Sequence, residues 1–371
     1  MKKPFESKYI INGVPRDLTP AQILSAVSAG RVSAEPDSGA EPIVDETVDP
    51  DFSPLEFHSS LVDSYLEKII AAQRSYPVAF SSCYAKFRTA AALIDVIWRR
   101  GHFNVGDLTV GASWTWNDAR VGNMAALYGG VEALCDYLDS LSLPLESCSC
   151  VEGDALSLKV SATVASHEED EDSFAVQPFK TENPYLGDGE LPHVLVPDES
   201  SWIVYVPFET AEYRFGGSLL AQATGNQGGI AVDVSDADYF MDCYEVVREL
   251  IEDGVVMSGC TVSDGGLLAA VRKMTEGGTG AVVDVSDVMR SKDEHRLAAV
   301  LFSEVPGVVL QIADSDFDYL DAELLLQDVA FFPLGHPSPD SSAVRVRASR
   351  KTGLQKILES LVQNQGGEGE D

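Results

Sequence analysis

Between residues 200 and 350, short apolar runs alternate with helix-periodic segments, and this alternation limits the possible folds more than any other feature of the chain. Strand patterns fall at 202–206, 256–262, 279–285, 307–312, 329–334 and 343–348, with helix patterns at 217–223, 237–253, 267–276, 295–302 and 318–327. Strands separated by helices over such a length predict a layered α/β structure. The most informative stretch is 256–276. There a strand pattern runs into Ser263-Asp264-Gly265-Gly266 and then a helix, so backbone amides and a carboxylate meet at a helix N-terminus. That geometry suits phosphate and metal. Taken alone, the tetrapeptide is equally a capping Asp followed by two turn glycines.

Upstream, residues 1–58 read as an acidic, turn-rich segment with linker composition at 34–39 and 45–51 and one helix start, Thr19 followed by Pro20. Residues 59–165 carry helix patterns at 59–75, 87–100 and 122–141 and strand patterns at 108–116 and 155–164, which predicts a first sheet domain. An acidic linker is expected at 166–199, a second α/β domain at 200–350 and a tail at 351–371. Hydrophobic residues at 45% and charged residues at 23% are globular values.

A formal net charge of −33 argues against nucleic acid or an anionic membrane as partner, because phosphate would be repelled over most of the surface. Six cysteines are too few for a disulfide framework in 371 residues, and Cys148 and Cys150 have no second Cys or His pair at ligand spacing. No run of eighteen apolar residues occurs and the first residues lack an apolar signal core, so a cytoplasmic protein is expected. Nothing pairs a nucleophilic Cys with an activating His.

Three motifs follow one another in register: Tyr213-Arg214-Phe215-Gly216-Gly217-Ser218, then Ser263-Asp264-Gly265-Gly266, then Leu301-Phe302-Ser303-Glu304-Val305-Pro306-Gly307. Their order resembles R-L-G-G-[ST], S-D-G-G-L and L-F-[AS]-E-x-P-G in the synthetase portion of formylglycinamidine ribonucleotide synthase, and residues 106–164 resemble an earlier block of the same family. The resemblance implies a mixed α/β and α+β, two-domain, aminoimidazole ribonucleotide synthetase-like (PurM-like) architecture. It further implies ATP or ADP with Mg²⁺, Arg214, Gly216, Gly217, Ser263, Gly265 and Gly266 as nucleotide contacts, and Asp264 and Asp154 as metal ligands. As partner it implies either the remaining modules of the synthase or a second copy, covering a strand edge and an apolar face of the small sheet domain.

Departures from the family pattern temper these expectations. Cys260-Thr261 replaces His-Asp ahead of the bend, and Val151-Glu152-Gly153-Asp154-Ala155-Leu156-Ser157 replaces G-G-K-D-S-L-S, removing the lysine while keeping Asp154. Arg214 is suited either to a phosphate or to Glu212, and Glu304 either to metal or substrate or to a turn. The expected role is a synthetase-like module of purine biosynthesis that acts as a scaffold or structural nucleotide site, not a complete catalyst. The alternative is a degenerate homologue serving protein interaction or regulation.

Overall fold

The computed structural model describes residues 3–28, 41–50, 57–101, 103–165, 184–185, 189–226 and 228–349. Most of the expected acidic linker, the tail, and the linker pattern at 34–39 lie outside them. Within the described residues the chain builds three sheets.

The first contains β1 (Tyr9–Ile11), β2 (Val14–Pro15) and β3 (Ile43–Asp45), ordered β2-β1-β3, with α1 (Pro20–Val27) between β2 and β3. Helix α1 starts as its sequence dictates. Thr19 accepts from the Gln22 amide, Gln22 reaches back to the Thr19 amide, and Pro20 fills the first position, where no donor is needed. Next come α2 (Val62–Ala71) and α3 (Ser81–Ile97), and then β4 (Leu108–Trp116), α4 (Asn123–Ser140), β5 (Leu145–Glu152) and β6 (Ser157–Val164). These last three strands form the second sheet in the order β5-β4-β6, β5 parallel and β6 antiparallel to β4.

The third sheet has six strands. Its chain order is β7 (Trp202–Pro207), α5 (Leu219–Ala223), α6 (Ala237–Glu252), β8 (Val256–Val262), α7 (Gly266–Met274), β9 (Gly280–Asp284), α8 (Ser286–Ser291), α9 (Leu297–Phe302), β10 (Gly307–Ile312), α10 (Phe317–Leu326), β11 (Phe332–Ser338) and β12 (Val344–Arg347). The spatial order is β12-β9-β11-β7-β10-β8, and only β12 with β9 is parallel. Strand–helix alternation therefore yields α+β pairing here, because strands consecutive in sequence are never neighbours in this sheet and, β12 with β9 apart, neighbours run antiparallel. Strands β8 and β10 are buried at every residue, and the polar side chains they carry inside are paired, Ser258 donating to Gln311 at 2.9 Å.

Helix α3 links the sheets. It packs on α4 and β6, and also on α6, β8 and β10. Its end is fixed by the Trp98 indole, which donates to Thr261 Oγ1 at 2.8 Å, and by Arg248, which donates to the Ile97 carbonyl at 2.8 Å.

Besides β1, β2 and α8, which had no counterpart in the pattern, three elements differ from expectation. Strand β5 carried no strand signal, since LESCSCVE lacks β-branched residues until Val151 and alternates small polar side chains. Strand β11 begins three residues later than its pattern, because α10 closes through Asp328 in the left-handed region (φ 55°). Strand β3 lies in the segment read as turn-rich and ends on the first residue of the linker pattern at 45–51, where Asp45 accepts from the amides of Gly122, Met124 and Ala125 at 2.8–2.9 Å, filling the anion position at the start of α4. Asp45→Ala should therefore cost about 2 kcal/mol in urea unfolding, against about 1 kcal/mol for Asp45→Asn, which keeps one acceptor oxygen but turns an NH2 group toward a backbone donor.

Candidate functional site

The bend after β8 demands glycine twice. Gly265 (φ 86°) and Gly266 (φ 75°) are both left-handed, and a Cβ on Gly266 would lie 2.7 Å from the Ser303 carbonyl oxygen. A Cβ on Gly265 would lie 2.7 Å from Ile69, so α2 is packed directly against the bend. Gly217 is likewise left-handed (φ 70°) and abuts Pro77 and Phe80, while the Gly216 amide donates to the Ile230 carbonyl at 2.7 Å. Ser218 then caps α5, accepting from the Ala221 amide.

These turns bring two helix starts to a single oxygen. Glu304 Oε1 accepts from the Leu219 amide at 2.9 Å, from the Gly265 amide at 2.9 Å, and from the Arg74 guanidinium. Glu304 is 7% exposed. Arg74, its side chain 9% exposed, also donates to the Gly217 carbonyl at 3.0 Å and places Nε 3.1 Å from Asp264 Oδ1. Arg88 from α3 lies 3.3 Å from both Asp264 oxygens. Ser75 and Gln222 exchange bonds beside this node, at 2.9 and 3.0 Å.

Burial opposes the Arg74 charge, yet Glu304 and Asp264 hold its pKa above the ordinary arginine value, so it stays a cation. Burial likewise pushes the Glu304 carboxyl up, against the pull of Arg74 and the two amides. Neither partner is comfortable without the other.

Of the residues expected from the motifs, Ser263, Asp264, Gly265, Gly266, Gly216 and Gly217 surround this node. Arg214 borders the same cavity but ion-pairs with Glu212, one of its two anticipated partners. Asp154 is not brought to the node. It lies in the turn between β5 and β6, where its carbonyl accepts from Asn117 at 3.2 Å, and no contact joins it to Asp264 among the described residues. Arg74 and Arg88 escaped the sequence reading, because they lie 230 and 176 positions from their acidic partners and carry no motif.

The cavity between the glycine turn, Tyr84 and Glu304 measures about 30 Å³, room for about one water. A nucleotide needs on the order of 300 Å³ or more. Both carboxylates that would serve a divalent cation are held by guanidinium groups, and no cluster of three His, Cys, Asp or Glu is placed to bind a metal among the described residues. Neither Mg²⁺ nor a nucleotide fits the cavity at this bend as it stands.

The fold is that of the aminoimidazole ribonucleotide synthetase-like proteins, and residues 212–324, which hold all three motifs, match the family described as AIR synthase related protein, C-terminal domain. The resemblance to formylglycinamidine ribonucleotide synthase is borne out by curated relatives of that name. The probable chloroplastic/mitochondrial phosphoribosylformylglycinamidine synthase of Arabidopsis thaliana is 24% identical over 278 residues, 73% of this chain and 18% of that protein. The Drosophila melanogaster phosphoribosylformylglycinamidine synthase is 27% identical over 246 residues, 63% of this chain and 18% of that protein. The chain thus spans less than a fifth of these relatives. Among solved structures, PurLQS from Thermotoga maritima superposes with a TM-score of 0.53 at 15% identity, covering 75% of this chain and 41% of that one. T. maritima PurL complexed with ATP gives 0.50 at 15% identity, covering 72% and 39%.

Removing Glu304 strands a buried guanidinium and two helix-start donors. Glu304→Ala should cost about 3–5 kcal/mol in chemical denaturation, whereas Asp264→Ala, with a side chain 37% exposed, should cost under about 1 kcal/mol. Equal losses at the two positions would contradict this ordering.

Proposed function

We propose that this chain is a non-catalytic, aminoimidazole ribonucleotide synthetase-like module that works in the cytoplasm as a scaffold within, or beside, a formylglycinamidine ribonucleotide synthase of purine biosynthesis. One observation carries the reading. The amides that would meet a phosphate already bind the Glu304 carboxylate, and the carboxylates that would meet a metal already bind Arg74 and Arg88. The replaced lysine of the G-G-K-D-S segment agrees, since Gly153 stands at its position and leaves Glu152 and Asp154 without that cation. Calorimetry with ADP and Mg²⁺ should give no binding heat, and the melting temperature should stay unchanged, because a ligand specific for the folded form would raise it. A saturable heat or a rise in Tm would overturn the scaffold reading in favour of a structural nucleotide.

The small sheet supports a partner role through its edges more than its face. Strands β5 and β6 flank β4, and among the described residues neither outer edge pairs with another strand beyond a single bridge from Ser28 to Leu145 at the start of β5. The outward face is not the apolar one expected. Gly111, Ser113 and Thr115 of β4 lie beside Ser149 of β5 and Lys159 and Ser161 of β6, with Val151 alone offering a large apolar side chain among these neighbours. Open edges invite strand addition, and the PurLQS relative is itself a multi-part assembly by its name. Sedimentation at micromolar concentration should show self-association or capture of the other synthase modules. A stable monomer that ignores those modules would count against the scaffold role.

A further inference from the structure

The Arg74 guanidinium occupies a seat lined by oxygens from three distant segments: the Gly217 carbonyl ahead of α5, Asp264 ahead of α7, and Glu304 between α9 and β10. The Tyr84 ring closes one side, its centroid 5.3 Å from the guanidinium carbon. Two carboxylates, one carbonyl and an aromatic face together favour a planar cation with several N–H groups. Its fixed fork meets acceptors in divergent directions, whereas a compact ammonium can present its donors to only part of such a set. The occupant is also delivered from outside. Arg74 lies on the connection between α2 and α3, while the three oxygens all come from residues 217–304.

We propose that this seat is a guanidinium-binding site, with Arg74 as its tethered ligand, and that it accepts a small guanidinium ion or a free arginine side chain in preference to a divalent metal. This deepens the scaffold reading and rests on it, because a seat that preferred Mg²⁺ would reopen the nucleotide question.

The test is chemical rescue. Arg74→Ala should melt about 5 °C or more below the wild type. Methylguanidinium chloride at about 10 mM, far below denaturing concentrations, should restore at least half of that loss by mass action on the folded form. The wild type and the Arg74→Ala/Glu304→Ala double variant should not respond, nor should Arg74→Ala respond to methylammonium or sodium chloride at matched ionic strength. No recovery in folded Arg74→Ala, equal recovery with the control salts, or a larger rise with Mg²⁺ would overturn the proposal. Should Arg74→Ala fail to accumulate in folded form, refolding yield with and without methylguanidinium reads the same claim: a raised yield supports it and an unchanged yield overturns it. Wild-type binding of ADP with Mg²⁺ would end the scaffold reading by a separate route, so failure of one idea is distinguishable from failure of the other.

Discussion

The pairing of Glu304 with Arg74 is the interaction on which the rest of this structure depends. A carboxylate buried beside two helix starts satisfies donors that have no intrahelical partner, but it is costly to desolvate unless a cation accompanies it. Arg74 supplies that cation from a connection far away in sequence, and in doing so it also reaches Asp264 and the Gly217 carbonyl. Four separate parts of the chain are thereby held around one charge pair. The glycines that looked like a ligand cradle serve this packing. Gly266 admits the Ser303 carbonyl, Gly265 admits α2, and Gly217 admits Pro77 and Phe80.

Helix α3 gives the node its frame. It touches the small sheet through β6 and the large sheet through β8 and β10, and it carries Arg88 to Asp264 and Trp98 to Thr261. Thr261 stands where the family has an aspartate, and here its hydroxyl donates to Asp95 at 2.6 Å. A position expected to lose function has instead been absorbed into the contact between α3 and β8. Asp95 of α3 is the acceptor in that contact.

Legibility in the sequence followed the range of the forces involved. Strand β4 and strands β8 and β10 were readable because burial on one or both faces writes a local pattern, and α1 was readable because its cap is complete within four residues. Strand β5 was invisible, since it is held by backbone pairing to β4 and presents serines and cysteines that fit any surface. The site divided in the same way. Residues 263–266 were legible as a helix-start bend, but what fills that bend was not. A salt bridge between residues 74 and 304 leaves no periodicity, and Glu304 read locally as a turn residue before it read as a ligand. The family resemblance located the node but gave no sign of the two arginines that reach it, because Arg74 and Arg88 belong to none of the three motifs.

The doubled arginine arrangement at Asp264 also shapes which sequences lie nearby. Replacing either guanidinium alone leaves the other in place, and replacing Arg74 first leaves an interior carboxylate without its counter-ion. A single change at Glu304 frees both amides but leaves Arg74 buried without its counter-ion, so either first step passes through a less stable protein. In the terrain of neighbouring sequences this bend sits in a closed valley, where neutral drift can redecorate the surface while the charge arrangement at its floor stays as it is.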